Sequence, residues 1–243
     1  MTGDVATEVN GGPISREIDP SRTGGSDVAK PRPADVKICW LGRVQFADAL
    51  ALQEDMVATK RNDHSVSDEI LLLEHEPVYT IGRTPDQSSL RAVAHLPHPL
   101  FPINRGGQAT YHGPGQLIGY PIINLRRCGQ DLHRYLRWLE QLLIELLGGF
   151  NIQATRRDGL TGVWVNKRKI ASIGVGVRHW ITMHGFALNV GGDLSPFAHI
   201  IPCGIADVTI TSMEKETGRA FSLIDVASDF ETLVRRRICD LRV

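Results

Sequence analysis

One amphipathic segment constrains the fold of this chain more than any other feature of its sequence. Leucine and tyrosine recur three or four positions apart over residues 131–147, which is the spacing of one apolar helix face. Asp131 is suited to cap the start of this helix, and Gly148 and Gly149 are suited to end it. Such a helix needs an apolar surface to pack on, and a sheet formed by the neighbouring segments would supply one.

Strand-forming segments lie on both sides of that helix in the sequence. Short apolar runs predict strands over residues 69–73, 117–125, 162–166, 169–177 and 183–190. Helical spacing predicts a helix over residues 45–60, and a last helix begins at Ser222. The predicted inner face of the last helix consists of Ile224, Ala227, Phe230, Val234 and Ile238. Strands and helices do not alternate one for one, so we expect an α/β fold with a single mixed-sheet domain rather than a regular βαβ repeat.

The first 35 residues differ from the rest of the chain. They contain five glycines and four prolines, and the first aromatic residue is Trp40. A segment of this composition buries too little apolar area to offset the entropy lost on ordering. We therefore predict a disordered extension over residues 1–35 and one globular domain over residues 36–243.

Charge and hydropathy exclude several classes of protein. Lysine and arginine together number 27, as do aspartate and glutamate, which argues against nucleic acid as the main ligand. No apolar run approaches the roughly 18 residues that a membrane span needs, and the amino terminus lacks a signal-peptide pattern. We expect a soluble protein of the cytoplasm that does not associate with membranes.

The four cysteines are too far apart to form a usual zinc site, so we expect no metal. The nearest pair, Cys203 and Cys239, is separated by 36 positions. Cys203 lies between Pro202 and Gly204, where a tight turn would expose a thiol, which makes it the best-placed nucleophile of the four. The alternative is a small buried hydrophobic residue, which is the commoner role of a cysteine.

A nucleophilic thiol needs a nearby base or cation. His112, His184 and His199 are available for that role. Lys169 is a less obvious candidate, because the strand predicted over residues 169–177 would place it on the same face as several apolar side chains. The alternative for Lys169 is a solvated basic turn, and the residues alone leave the choice open.

A glycine-rich run precedes the strand at residue 117. Four glycines occur between Arg105 and Gln116, where they allow close approach of a ligand to the backbone, and Arg105 is suited to bind an anion. The run has neither the Gly-Lys-Ser/Thr of a P-loop nor the spacing of a dinucleotide-binding fingerprint. A plain turn is the alternative interpretation.

Taken together, six segments resemble the lipoyl(octanoyl) transferase family. In chain order these segments are Glu74–Arg83, Arg105–Gln116, Gly162–Val165, Lys169–Gly174, Gly185–Val190 and Ile201–Ile205. The resemblance covers roughly residues 38–235. The run from Arg-Gly-Gly to His-Gly-Pro-Gly-Gln is long and specific.

The resemblance implies a fold shared with biotin and lipoate protein ligases, and it implies an acyltransferase. The family moves an octanoyl (or lipoyl) group from acyl carrier protein to a lysine of lipoyl domains, in 2-oxoacid dehydrogenases and the glycine cleavage H protein. It uses a cysteine thioester and no cofactor. Its cysteine–lysine dyad corresponds here to Cys203 and Lys169. The implied acyl-site residues are Arg105, Gly106, Gly107, Gln108, Ala109, Thr110, Tyr111, His112, Ser172, Ile173, Gly174, Gly185, Phe186 and Ala187. We expect a monomer.

Three other functions remain open at this point. An ATP-dependent lipoate or biotin ligase on the same fold would make an acyl-adenylate and need no cysteine nucleophile. A cysteine thioesterase would release free octanoate. A non-catalytic module would only bind acyl carrier protein.

Overall fold

The structure is a computed structural model that describes residues 36–84, 89–90, 96–202 and 208–242. The predicted extension over residues 1–35 and the predicted nucleophile Cys203 lie outside these residues. What the sequence predicts for them therefore stays a prediction.

The predicted helices and strands are observed in the predicted order, together with further strands. The strands are β1 (Val36–Val44), β2 (Asp68–His75), β3 (Val78–Ile81), β4 (Leu100–Pro102), β5 (Thr110–His112), β6 (Gln116–Ile122), β7 (Thr155–Arg157), β8 (Leu160–Val165), β9 (Arg168–Arg178), β10 (Ile181–Asn189) and β11 (Thr209–Ile210). The helices are α1 (Phe46–Asn62), α2 (Leu132–Gly149), α3 (Met213–Thr217) and α4 (Leu223–Leu241).

The main sheet is mixed, as predicted. Its strand order is β1-β2-β6-β10-β9-β8-β7, and β11 pairs with the first residues of β9. The β1–β2 and β9–β11 pairs are parallel, whereas the others are antiparallel. A smaller sheet has the order β4-β3-β5, and its strands lie between β2 and β6 in the sequence. Its strand β5 belongs to the glycine-rich run.

Helices cover both faces of the main sheet. Ile70 and Leu72 of β2 join the cluster of buried side chains under α2 and α4, while Leu71 and Leu73 join the cluster under α1. Successive side chains of a strand point to opposite faces, so an unbroken apolar run is what a strand covered on both sides requires. The short apolar run that predicts β2 from sequence thus reflects burial on both faces.

The helix α2 begins as predicted. The side chain of Asp131 accepts a hydrogen bond from the backbone N–H of Arg134 at 3.0 Å, which satisfies one of the open donors of the first turn. Gly148 and Gly149 do not stop the helix but form its last two residues, and Phe150 follows as the cap.

Two details of the predicted elements are wrong. The strand predicted to reach residue 125 ends at Ile122, and Leu125–Cys128 forms a 3-10 turn capped by the side chain of Asn124. Ile224 does not belong to the inner face of α4, because it is 48% exposed. The buried stripe of α4 is centred near Phe230 and Val234, and at about 100° per residue Ile224 falls at its edge.

In the part of the chain that the structure describes, no helix has the length and hydropathy needed to cross a membrane.

Candidate functional site

A cavity of about 610 Å³ lies between the glycine-rich segment, the strands β9 and β10 and the first turns of α2. Eleven of the fourteen residues predicted for the acyl site line it, although they come from three separate parts of the sequence. They are Arg105, Gly106, Gly107, Thr110, His112, Ser172, Ile173, Gly174, Gly185, Phe186 and Ala187. The fold therefore brings these segments to one place.

The glycine-rich segment lies directly against β9. The N–H of Gly106 donates to the carbonyl of Val175 at 3.0 Å. A Cβ at Gly174 would come within 3.0 Å of the Arg105 side chain, and Gly107 has a φ of 86°, a conformation that L side chains rarely adopt. Small residues on both sides of this contact are thus a requirement of close packing.

Arg105 is buried and holds this segment to β3. Its Nη1 donates to the carbonyl of Gly106 at 2.9 Å, and its Nη2 donates to the hydroxyl of Thr80 at 2.9 Å and to the carbonyl of Thr80 at 3.2 Å. The guanidinium thus fixes the backbone at the cavity wall.

The other three predicted acyl-site residues do not line the cavity. Ala109 and Tyr111 are buried in the cluster beneath the small sheet, where the Tyr111 ring lies 5.4 Å from that of Tyr79. Gln108 is half-buried next to them. A run of side chains along an extended segment points to alternate sides, which explains why the whole run cannot face one ligand.

The histidines near the cavity are buried and neutral at pH 7. Burial lowers the pKa of His75 and of His184 to about 4. Burial lowers the pKa of His112 well below 6.5, and the neighbouring His75 and Arg105 lower it further. His199 is exposed and lies outside the cavity wall. Neutral imidazoles provide no positive charge for a thiolate.

Lys169 occupies the first part of β9, where it is 2% exposed. Its Nζ donates to the carbonyl of Thr161 at 3.2 Å and lies 5.2 Å from the centre of the Trp164 ring, within the range of a cation–π contact. Thr161 lines the cavity. Of the two interpretations of Lys169 from sequence, the structure favours burial beside apolar residues over a solvated basic turn.

The strand β11, which follows Cys203 in the sequence, lies beside Lys169. Ile210 of β11 pairs with Lys169, and the N–H of Thr211 donates to the Lys169 carbonyl at 3.0 Å. Ile210 is seven positions after Cys203 in the sequence, so the chain between them spans at most about 25 Å.

Several cavity-lining residues were not predicted from sequence. They include Phe46, Tyr120, Leu132, Leu136, Val175 and Val177. The alternation along β9 is a signal for Val175 and Val177, since both share a strand face with Ile173. Phe46 and Leu132 begin helices distant in sequence, and no local pattern identifies them.

Among the described residues, no group of three or more His, Cys, Asp or Glu side chains is placed to hold a metal ion.

Comparisons with known proteins give a family model and relatives that match most of the chain. The family model described as "Lipoyl protein ligase A/B catalytic domain" matches residues 45–234. An octanoyltransferase of Geobacter sulfurreducens is 49% identical over 190 residues, which are 78% of this chain and 79% of that relative.

Two solved structures share the fold. Lipoate-protein ligase A bound with ATP superposes with a TM-score of 0.68 at 13% identity, over 84% of this chain and 86% of that one. Biotin protein ligase from Aquifex aeolicus, in complex with biotin and ATP, gives 0.52 at 15% identity, over 85% and 72%. These identities establish the fold alone, and they confirm the predicted likeness to biotin and lipoate protein ligases.

Proposed function

We propose a mechanism from the premise that this chain belongs to the lipoyl protein ligase A/B catalytic-domain family, among the octanoyltransferases. The protein is an acyltransferase that moves an octanoyl group for protein lipoylation. The proposal concerns how it does so: through a thioester on Cys203, with Lys169 as the acid and base.

The cavity suits a medium-length acyl chain. Its wall combines apolar side chains from α2, β9 and β10 with glycines that leave space beside the sheet. Transfer of the seven carbons beyond the carbonyl from water to such a wall contributes about 5 kcal/mol, at about 0.8 kcal/mol per methylene. This burial is the source of affinity for the acyl chain.

In the first half-reaction, the Cys203 thiolate attacks the carbonyl carbon of the donor thioester. The bond between this carbon and the carrier sulfur breaks, and the departing sulfur takes a proton from the Lys169 ammonium. The products are an octanoyl-cysteine, a carrier thiol and a neutral Lys169. Because one thioester replaces another, the step is nearly isoenergetic and needs no ATP.

In the second half-reaction, the neutral amine of the acceptor lysine attacks the carbonyl carbon of the octanoyl-cysteine, and the neutral Lys169 takes a proton from the attacking nitrogen as the amide bond forms. The bond between the carbonyl carbon and the Cys203 sulfur breaks, and Cys203 leaves as a thiolate beside a restored ammonium. Amide formation from a thioester runs downhill. The enzyme therefore returns to its starting protonation state without any further reactant.

Lys169 is better suited to this role than the histidines. His75, His112 and His184 are neutral because they are buried, whereas the Lys169 Nζ donates to the Thr161 carbonyl and lies within cation–π range of the Trp164 ring. The single observation that carries the proposal is this buried lysine, held by a residue of the cavity wall.

The relatives imply lipoyl domains in general as acceptors. We propose octanoyl-acyl carrier protein as the donor, and lipoyl domains of 2-oxoacid dehydrogenases and the glycine cleavage H protein as acceptors. We also propose that the enzyme acts in the cytoplasm as a monomer.

The intact mass of the protein after mixing with octanoyl carrier tests the proposal. We expect a gain of one octanoyl group, mapped to Cys203, that disappears when a lipoyl domain is added. Acylation that survives Cys203→Ala would refute the nucleophile. Free octanoate without acceptor would indicate a thioesterase, and dependence on ATP and free octanoate would indicate a ligase.

A further inference from the structure

The carboxylate of Glu140 is buried in α2 and faces the start of β8. It is 1% exposed, although a buried charge is costly unless it is paired. Its Oε2 accepts hydrogen bonds from Arg137 at 2.7 Å and from Arg156 at 3.0 Å, and both arginines reach into solvent. Buried ion pairs are often replaceable by apolar residues without loss of stability, so stability alone gives little reason for this carboxylate.

The other carboxylate oxygen of Glu140 binds the stretch of β8 backbone to which Lys169 is hydrogen-bonded. Its Oε1 accepts the N–H of Gly162 at 3.1 Å. The residue before it, Thr161, provides the carbonyl that accepts the Lys169 Nζ at 3.2 Å. Thus Glu140 and Lys169 bind the N–H and the carbonyl of the same peptide group, which joins Thr161 to Gly162.

This stretch of β8 departs from regular strand geometry. Gly162 has a φ of 126°, and the pairing of β8 with β9 shifts register between Val163 and Trp164. A Cβ at Gly162 would lie 2.8 Å from the Lys169 Cε. An irregular strand with a conformation restricted to glycine needs an external contact to fix it, and the Glu140 carboxylate is one.

We propose that Glu140 is a positioning residue that fixes the Thr161–Gly162 backbone and thereby places the Lys169 ammonium for catalysis. This inference rests on the proposed role of Lys169 and deepens it. Glu140 acts through the backbone and touches no reacting atom. A small displacement of a catalytic group costs up to about 10²-fold in rate, which sets the scale of the effect.

Two conservative substitutions of Glu140 separate the effect of its side-chain length from the effect of its charge. Glu140→Gln removes the charge but keeps a carbonyl oxygen that reaches the Gly162 N–H. Glu140→Asp keeps the charge, and the flexible arginines can follow it, but the shorter side chain withdraws from Gly162. Positioning predicts that the Gln variant keeps more activity than the Asp variant, whereas a role limited to ion pairing predicts the opposite order.

The test measures kcat and KM for octanoyl transfer in the full chain, normalised to folded protein, with thermal unfolding alongside. We expect kcat to fall about ten-fold or more in Glu140→Asp and less than about three-fold in Glu140→Gln, with KM for the donor changed less than about two-fold. Glu145→Asp and Glu145→Gln are matched controls, since Glu145 lies on the same helix and pairs with Arg237. We expect these to keep kcat within about two-fold.

Lys169→Ala, measured in parallel, separates this inference from the proposed function. Full turnover in Lys169→Ala would refute the role of Lys169 itself. An inactive Lys169→Ala beside a fully active Glu140→Asp would overturn the positioning role alone, as would a Gln variant less active than the Asp variant. Should Glu140→Asp fail to fold, a kcat of Glu140→Gln below about a tenth of wild type would also overturn it.

Discussion

Among the residues that the structure describes, two lysines are almost completely buried, and their surroundings differ. Lys60, at the end of α1, is 1% exposed and lies 3.6 Å from the carboxylate of Glu69, with the carbonyl of Ser67 as a hydrogen-bond acceptor. Lys169 is 2% exposed, and it is held by the carbonyl of Thr161 and the face of Trp164 beside the cavity. The second region borders the cavity, because Thr161 lines it.

The difference shows that burial of a charge does not by itself indicate function. Burial lowers the pKa of Lys60, while the nearby carboxylates Asp68 and Glu69 act in the opposite direction. That arrangement ties the end of α1 to β2. Lys169 instead lies where β8, β9 and β11 meet, next to the cavity wall. This contrast supports a structural role for Lys60 and the catalytic role that we propose for Lys169.

The largest expected effect is at Lys169. Replacing it with alanine should lower kcat by about 10² to 10⁴, which is the usual loss for an acid–base group. Lys169→Arg should be nearly as inactive, because a guanidinium does not give up its proton at working pH. Steady-state octanoyl transfer measures both variants, and wild-type turnover in the Arg variant would show that positive charge alone is sufficient.

A smaller effect is expected from Gly162→Ala. The new Cβ would lie 2.7 Å from the Ala171 carbonyl oxygen and 2.8 Å from the Lys169 Cε, so the lysine must move. We expect kcat to fall about 10- to 100-fold per folded molecule. Gly149→Ala in α2 is a matched control, because a Cβ there meets nothing within 4 Å. Equal activity in the two variants would contradict the claim that catalysis depends on the position of the Lys169 ammonium.

Lys60→Met should change stability without changing catalysis. The substitution removes the partner of the Ser67 carbonyl and of Glu69, and we expect the free energy of unfolding to fall by about 2 kcal/mol. The turnover number should stay within about two-fold of wild type. Denaturant unfolding together with the transfer assay measures both quantities. A large loss of kcat in folded Lys60→Met would remove the distinction between the two lysines.

The smallest effect is expected from removing residues 1–35. This segment is outside the matched residues 45–234, and its composition is poor in apolar side chains. The truncated protein should transfer octanoyl groups at a rate within about two-fold of the full chain. A several-fold loss of kcat would mean that the extension helps to form the site.

Local sequence patterns predicted the elements that have strong periodicity. The helix predicted over residues 131–147 is observed as α2, and the strands flanking Asn166 are observed as β8 and β9. Asn166 has a φ of 54°, which the turn requires and asparagine tolerates. In contrast, the short strands β3, β4 and β5 are stabilised by partners distant in sequence, and their three or four residues carry no period of their own.

The sequence indicates which segments form the site but not which contacts they make. The resemblance indicated Lys169 and about half of the cavity-lining residues, but only the structure shows that Thr161 holds the lysine and that Glu140 holds Gly162. These contacts depend on the shifted register between β8 and β9 and on the packing of α2, neither of which a local pattern encodes. Ala109 and Tyr111 illustrate the converse, since a motif includes them but they pack into the core.

The pH dependence of alkylation at Cys203 tests the proposed pairing with Lys169 most directly. Iodoacetamide is neutral and reacts with the thiolate, and mass mapping of the Cys203 peptide separates this reaction from that of the exposed Cys39 and Cys239. Burial raises the pKa of Cys128 to about 11, so alkylation of that thiol should stay slow near neutral pH.

Removing a nearby positive charge makes the Cys203 thiolate less favourable. Lys169→Ala should therefore react more slowly at neutral pH and with a midpoint at higher pH, whereas Lys60→Met should match wild type. An unmoved midpoint in Lys169→Ala would contradict the pairing, even if Cys203 proves to carry the octanoyl group.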